Sequence, residues 1–348
     1  MMNSQFTFIT SHETDYSRSG VLLSFLSKKE LVREVIKFNS WKSLIIFVRQ
    51  ILKANRKTDY YVIMNPSQFL TPIVRVLTFK KIILDSGWPL TEKSRSKSVL
   101  IREKLQRSKS WAIDFASMHL ASLVLLESEL QKERTSQRFK VNRKKIEVSL
   151  TGVDERAFSQ SPVEIKRNDK KLLVGFRGRY NLESGLEILA ETTRLCVNQD
   201  INFLILTSNI PDNIKFGGNT ILRDTPYKNK EEMAHLLNSC DILLGQLSNH
   251  PRLNVTIPHK AFEAAILGKP YLSARASGIQ EFLEEGLEAE YFDPGDPVDL
   301  LRKIVKLKED RANACKLGNN IFKKYVKIAS EEAIGNNFLV IIQRYEAH

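Results

Sequence analysis

Short, nearly continuous runs of apolar residues recur along the chain, separated by stretches in which apolar residues have helical spacing. Runs of about four to eight apolar residues are typical of parallel strands covered on both faces, and their alternation with helices predicts an α/β fold. The predicted strands lie at 5–11, 59–66, 80–87, 121–128, 145–150, 172–178, 201–208, 220–226, 241–247, 271–275 and 289–294.

One polar stretch, SQSPVEIKRNDKK at residues 159–171, interrupts this alternation. We interpret it as a linker, because it is rich in polar and charged residues and contains a proline. A chain of 348 residues is also long for a single hydrophobic core. The sequence therefore predicts two Rossmann-like domains, at 1–160 and 161–327, and a C-terminal helix at 328–348 that we expect to pack back on the first domain.

The composition restricts the class of protein. Hydrophobic residues make up 42% of the chain and charged residues 27%, which is typical of a soluble globular protein. No apolar run reaches the ~20 residues of a membrane-spanning helix, and the N-terminus lacks the pattern of a secretory signal. The three cysteines, Cys196, Cys240 and Cys315, do not have the spacing of metal ligands. We therefore expect a cytoplasmic protein.

Positive charge is concentrated in the first half of a chain whose net charge is +13. Residues 91–110 carry seven Lys and Arg against two Glu, and residues 131–145 carry seven against one. Such clusters indicate an anionic partner, for example a membrane surface or a lipid-diphosphate acceptor, or they form a solvated basic face. We do not expect nucleic acid as a partner, because the clusters lack interleaved aromatic residues and any recognised module.

The segment after the predicted strand at 241–247 combines charged residues with two helix starts: it reads HKAFEAAILGKPYLSARASGIQEFL, residues 259–283. Pro258 precedes the first helix, and Gly268 ends it. Lys260 and Glu263 are three residues apart and therefore share a helix face near its start.

A second helix is predicted to begin after the strand at 271–275. Ser277 is expected to cap it, with Gln280 as the capping-box partner, and Gly278 and Ile279 would present free backbone N–H groups to an anion. A carboxylate at one helix start and bare amides at the next suit the ribose and the diphosphate of one nucleotide ligand. The alternative is that Lys260 and Glu263 form a surface ion pair worth only ~0–1 kcal/mol.

This segment resembles the nucleotide-sugar signature of the retaining glycosyltransferases of family 4, which have the GT-B fold. Further similar segments occur in the same order at 145–158, 175–191, 231–247 and 290–304, whereas the first half is less similar. The resemblance implies two Rossmann-like domains with parallel sheets facing across a cleft. It also implies that the first domain binds the acceptor and the second binds the sugar nucleotide.

The resemblance carries over to particular residues of the second domain. Glu263 matches the second acid of the family's Glu-x7-Glu motif, which binds the nucleotide ribose, and Arg179 matches the arginine that neutralises the donor diphosphate. Gly278 and Ile279 match the backbone amides near the phosphates or the donor sugar. The family's fold uses no metal, so we expect no metal and no cofactor beside the nucleotide-sugar substrate.

Two positions depart from the family pattern. Val255 stands where the first acid of the motif belongs, and Ser184 stands where the family has a lysine for the diphosphate. We expect Asn254 to substitute for the missing acid, and Arg177 or Lys260 to support Arg179.

Four further residues are candidates on weaker grounds. Asp85 lies in LDSGWPL, where the family has a catalytic histidine; it is either a substrate contact or a turn residue. His12 and the stretch DYSRSG, which ends in Ser19 and Gly20, follow the first strand and are candidates for the acceptor side. Tyr227 follows RDTP and is a candidate contact for the nucleotide base.

The resulting functional prediction is a hexosyltransferase-type enzyme of polysaccharide biosynthesis. It would move a sugar from a nucleoside-diphosphate sugar to an acceptor hydroxyl with retention, on a lipid-linked or cell-envelope saccharide, at the inner face of the membrane. The alternative, motivated by Val255 and Ser184, is a GT-B-like protein that binds the sugar nucleotide with weak or no turnover.

Overall fold

The structure is a computed structural model that describes residues 4–14, 17–92, 101–158, 171–196, 199–224 and 229–347. The chain divides into two compact units. The first unit comprises Met1–Gly152 together with Glu331–His348, and the second comprises Val153–Ser330. The linker predicted at 159–171 lies, except for its last residue, outside the described residues, as does the predicted domain boundary after residue 160.

The first unit is built on a parallel sheet. Its described strands have the order β2-β1-β3-β4-β5-β6, and every neighbouring pair is parallel. The elements are β1 (Phe6–Thr10), α1 (Ser17–Lys28), β2 (Val32–Lys37), α2 (Leu44–Ala54), β3 (Tyr60–Ile63), α3 (Thr71–Leu77), β4 (Lys81–Gly87), α4 (Ile101–Leu120), β5 (Leu123–Leu126), α5 (Glu129–Phe139) and β6 (Ile146–Val148).

Strand β2 is the element of this sheet that the sequence analysis missed. Its sequence, VREVIK, is largely exposed because it forms the edge of the sheet and pairs only with β1. Charged residues interrupt its apolar pattern, so the strand lacks the continuous run that identified its neighbours. Edge strands commonly carry such charges, which discourage pairing with other chains.

The second unit contains another parallel sheet. Its described elements are α6 (Glu155–Phe158), β7 (Leu172–Arg177), α7 (Leu186–Leu195), β8 (Ile201–Leu206), β9 (Thr220–Arg223), α8 (Lys230–Asn238), β10 (Ile242–Leu244), α9 (His259–Ile266), β11 (Tyr271–Ala274), α10 (Ser277–Gln280), β12 (Ala289–Phe292), α11 (Pro297–Glu309) and α12 (Arg311–Ile328). The strand order is β12-β11-β10-β7-β8-β9. Numbered from β7, this is the order 3-2-1-4-5-6 of a Rossmann fold, and the chain reverses its direction of winding between β7 and β10.

One local prediction was wrong. Ser277 is the first residue of α10 and not its cap; the N-cap is Ala276, without a capping hydrogen bond from a side chain. Of the stretch DYSRSG at 15–20, Ser19 and Gly20 belong to the first turn of α1.

The last helix, α13 (Glu331–Glu346), packs against α1 within the first unit. Gly335 faces the ring of Phe25 so closely that an added Cβ would overlap the ring. The rings of Phe338 and Phe6 are tilted against each other with their centroids 5.5 Å apart, and Lys28 pairs with Glu331 at 2.6 Å. The C-terminal helix therefore completes one of the two cores that cover the first sheet.

We expect Gly335→Ala to destabilise the first unit. Alanine normally stabilises a helix by about 1 kcal/mol relative to glycine, but the overlap with Phe25 should reverse the sign and cost about 1–3 kcal/mol. Urea unfolding monitored by circular dichroism measures the change. Gly218→Ala is the control, because a Cβ at Gly218 meets nothing within 4 Å. Equal stability of the two variants would contradict the tight packing of α13 on α1.

Candidate functional site

The candidate site lies where the second sheet reverses its direction of winding. Strand β7 ends at Arg177, and Gly245 and Gln246 directly follow β10. Helix α9 begins at the same edge, with Pro258 as its N-cap, and carries Lys260 and Glu263. In open parallel sheets, ligands bind at the carboxyl edge beside such a switch point, so these residues occupy the expected position for a ligand.

Glu263 is almost fully buried, with 1% of its surface exposed, and its carboxylate is held by two partners. Arg177 donates to it twice: its Nε lies 3.0 Å from Oε2, and a terminal nitrogen contacts Oε1. The Nδ1 atom of His259 lies 3.0 Å from Oε1. The carboxylate that the sequence assigns to a ribose, or alternatively to a surface ion pair with Lys260, is therefore the centre of a buried Arg177–Glu263–His259 cluster. The Arg177 and His259 side chains are the more exposed members of this cluster.

The charge on Glu263 is strongly stabilised by this cluster. Burial by itself would raise the pKa of the carboxyl group, but the positive charge of Arg177 and the hydrogen bonds from His259 and Arg177 lower it to about 2. Glu263 is consequently ionised at neutral pH and holds the guanidinium of Arg177 in a fixed orientation.

Lys260 is buried beside this cluster. Its Nζ donates to the carbonyl oxygen of Gly245 at 3.1 Å and to the side chain of Gln246 at 3.0 Å, and it lies 3.9 Å from the ring centroid of Phe176. Burial, reinforced by the charge of Arg177, holds its pKa well below the ordinary value. An anion beside Lys260 would favour its charged form, so the side chain is suited to binding a phosphate.

A small pocket brings these groups together. Its charged lining consists of Arg177, Lys260 and Glu263, and its apolar lining comes from β7, β10 and α8: Gly175, Leu237, Leu243 and Leu244. Two basic side chains, Arg177 and Lys260, therefore face a single carboxylate in an otherwise apolar wall.

A second buried ion pair, which the sequence analysis missed, joins the loops that follow β7 and β10. Arg252 donates to Oε2 of Glu183 at 2.6 Å, and both side chains are largely buried. The other oxygen of Glu183, Oε1, has no hydrogen-bond partner among the described residues. The two residues are 69 positions apart, so no local pattern reveals them. They flank the two departures from the family pattern, since Glu183 precedes Ser184 and Arg252 lies three residues before Val255.

Gly278, at the start of α10, is required by the packing of the protein against itself. A Cβ at Gly278 would overlap the backbone of Leu253 and Thr256, so close packing of the protein against itself requires the glycine there. The first N–H groups of a helix lack intrahelical acceptors, and those of Gly278 and Ile279 belong to this group. Both residues are buried, whereas Ser277 is exposed.

The remaining residues predicted in the second unit are placed as follows. Arg179 and Asn254 are exposed, and Val255 is buried. Ser184 is buried in the turn before α7, where its backbone N–H and hydroxyl bond to Asn181. Tyr227 lies outside the described residues.

In the first unit, Asp85 is buried in an ion pair rather than presented as an acid. It is 2% exposed; Arg18 donates to one of its oxygens at 2.5 Å, and the hydroxyl of Ser19 donates to the other at 3.2 Å. Both oxygens are thus engaged, and the same is true of the Ser19 hydroxyl. The geometry does not support the predicted role of Asp85 as a substrate contact.

Of the two other acceptor-side candidates, His12 is exposed just after β1, and Gly20 is half-buried within α1. Arg18 also donates to the carbonyl oxygen of Ser149 at 2.7 Å. The Arg18–Asp85 pair therefore ties the start of α1 to β4 and to the chain after β6.

The comparisons with known proteins agree with this architecture. Residues 194–329 match the family model described as "Glycosyl transferase-like", which covers less than half of the chain. No curated protein sequence matches the chain significantly. Among the described residues, the helices are all too short or too polar to cross a membrane.

Solved structures similar to this chain include Anabaena HepE in complex with UDP, with a TM-score of 0.71 and 14% sequence identity over 98% of this chain and 100% of that one. The sucrose-phosphate synthase of Thermosynechococcus elongatus has a TM-score of 0.71 and 13% identity over 99% of both chains. A glycosyltransferase from Rickettsia africae has a TM-score of 0.67 and 13% identity, again over 99% of both. The predicted α/β fold of the GT-B type is therefore confirmed.

We expect Glu263→Gln to destabilise the second unit by about 3 kcal/mol, because it leaves the Arg177 charge buried without its counter-charge. Urea unfolding at neutral pH measures the loss. The matched control is Glu285→Gln, since Glu285 pairs with Arg275 on the surface and should matter by less than about 1 kcal/mol. Equal effects of the two substitutions would contradict the buried ion pair.

The destabilisation caused by Glu263→Gln should depend on pH. The folded-state pKa of Glu263 is about 2 against an ordinary 4.5, so its stabilisation is complete above pH 4.5 and is lost as the pH falls toward 2. The difference in unfolding free energy between wild type and Glu263→Gln should therefore shrink over that interval, and a constant difference would show that the carboxylate is not the titrating group.

Proposed function

We propose that this protein is a glycosyltransferase that moves a sugar from a nucleoside-diphosphate sugar to an acceptor hydroxyl. The observation that carries the proposal is the cationic pocket of Arg177 and Lys260 at the switch point of a Rossmann-ordered sheet. The "Glycosyl transferase-like" match spans α8, β10 and α9, which supply most of the pocket. The solved HepE structures contain UDP or UDP-glucose, which supports a uridine nucleotide as the first donor to test.

The diphosphate of the donor is the natural ligand for the two cations. Arg177, oriented by Glu263, and Lys260, which regains its charge beside an anion, would bind its oxygens together with the exposed Arg179. The backbone N–H groups of Gly278 and Ile279 would add uncharged donors. Binding of the diphosphate also stabilises the charge that develops on the leaving group, which is the main electrostatic demand of the reaction.

The role of Glu263 in this proposal differs from the one that the sequence suggested. Both of its oxygens are engaged, so a ribose hydroxyl contacts the carboxylate only if the ring of His259 turns away. We therefore propose that Glu263 mainly positions Arg177. The same carboxylate would bind the ribose only after His259 has moved.

The Glu183–Arg252 pair would compensate for Val255 and Ser184. The unpartnered Oε1 of Glu183 can accept a hydrogen bond from a sugar hydroxyl, which Val255 cannot do. Arg252 supplies a cation next to the loop where Ser184 replaces a lysine. Val255 and Ser184 would then change which residues contact the donor, but they would not prevent transfer of the sugar.

For the chemistry itself we retain displacement with retention. The acceptor hydroxyl attacks the anomeric carbon from the side of the leaving group, the bond to the diphosphate oxygen breaks, and a diphosphate oxygen takes the proton. Asp85 has no part in this scheme. The acceptor is proposed to be a lipid-linked or cell-envelope saccharide.

A second candidate function is binding of the sugar nucleotide without turnover. The occupied carboxylate of Glu263, together with Val255 and Ser184, favours it. A glycosyltransferase should release UDP from UDP-glucose when an acceptor is present, whereas a binding protein should retain the sugar nucleotide unchanged in the same assay.

Calorimetric titration of UDP, GDP and ADP and of their glucose conjugates tests the site. We expect Lys260→Met to weaken binding of the preferred nucleotide roughly tenfold or more, because a charge-assisted hydrogen bond is lost. The substitution should leave stability unchanged or increase it, because it removes a buried charge. Lys316→Met, on the exposed face of α12, is the control. Unchanged affinity in Lys260→Met, or no binding of any nucleotide to wild type, would refute the proposal.

A further inference from the structure

The first unit exposes an apolar surface that also carries positive charge. Its apolar members, which we call the α2–α3 face, are Trp41, Ile45, Ile46, Leu52, Val76 and Phe79. Ile45 is 68% exposed, Val76 85% and Phe79 fully exposed. Large apolar side chains grouped in this way usually mark a binding surface.

The face is continuous across two helices. On α2, Ile45, Arg49 and Leu52 lie at helical spacing and share one side. Trp41 lies in the turn just before this helix, and Arg56 lies just after its end. The ends of α2 and α3 are joined, because the side-chain amide of Asn55 donates to the carbonyl oxygen of Leu77 at 3.0 Å. Val76 and Phe79 therefore lie beside the C-terminal end of α2.

Trp41 is held in place at the other end of α2. Its ring lies 5.3 Å from that of Phe38 and 6.4 Å from that of Phe69, and yet most of its surface is exposed. A tryptophan that rests on the protein with one side and faces outward with the other is suited to an interface between apolar and aqueous regions.

The segment of the chain that carries the face is strongly basic. Residues 38–84 contain eight Lys and Arg, and Asp59 is their only acid. The carboxylate of Asp59 accepts a hydrogen bond from the backbone of Gln5 at 2.9 Å. Arg49 and Lys53 are exposed on α2, and Lys42 and Arg56 are exposed just before and just after it.

We propose that the α2–α3 face binds the surface of an anionic lipid membrane. Apolar side chains would enter the boundary between headgroups and acyl chains, and the surrounding cations would bind the lipid phosphates. A second copy of the chain is a poorer occupant, because a symmetric contact would place the cations of one face against those of the other. The proposal is independent of the donor site, and it would bring the chain to a lipid-linked acceptor.

Co-sedimentation of the full chain with vesicles tests the proposal. The vesicles are phosphatidylcholine alone or a mixture with phosphatidylglycerol, at low salt. Wild type should sediment with the mixed vesicles and only weakly with phosphatidylcholine alone. Ile45→Ser/Ile46→Ser and Arg49→Gln/Lys53→Gln should each weaken binding about tenfold or more. The control Val326→Ser/Ile328→Ser removes exposed aliphatic side chains from α12 and should bind like wild type.

Three results would overturn the proposal. The first is that wild type does not sediment with the mixed vesicles. The second is that the control variant loses as much binding as the Ile45→Ser/Ile46→Ser variant. The third is a wild-type dimer in light scattering that the Ile45→Ser/Ile46→Ser substitution converts to a monomer, because a second copy then occupies the face. Circular dichroism of each variant ensures that only folded chains are compared.

Discussion

The buried ion pair between Arg177 and Glu263 is the interaction on which the arrangement of the site depends. Strand β7 delivers the arginine and helix α9 delivers the glutamate, so the pair fixes the helix against the carboxyl edge of the sheet. A carboxylate this deeply buried keeps its charge only because Arg177 and His259 hold it. The positive charge of Arg177 is in turn kept at the pocket, in one orientation.

Lys260 adds to this arrangement a charge that is costly to bury. The apolar wall and Arg177 disfavour its ammonium form, and only neutral oxygens from Gly245 and Gln246 are bonded to it. The protein thus holds two basic side chains beside one carboxylate, and a bound diphosphate would favour the charged form of Lys260. A site with buried charged groups stabilises the fold less than an apolar core would. A ligand that supplies the missing negative charge would compensate for this loss of stability.

Local patterns in the sequence predicted the strands, the order of helices and the position of Lys260 and Glu263 on one helix face. They could not predict which partner a side chain meets across the fold. Glu263 is paired with Arg177, 86 positions away, and Glu183 with Arg252, 69 positions away. Asp85, which the sequence left as a substrate contact or a turn residue, forms a buried ion pair with Arg18. Strand β2 was missed because an edge strand needs no continuous apolar run.

A crystal structure of the chain soaked with UDP tests the central claim most directly. The account predicts the diphosphate within hydrogen-bond distance of the Arg177 guanidinium and the Lys260 amino group, with the Arg177–Glu263 pair intact. A diphosphate bound elsewhere on the chain would contradict the account, as would a pocket that stays empty at a UDP concentration that saturates binding in solution.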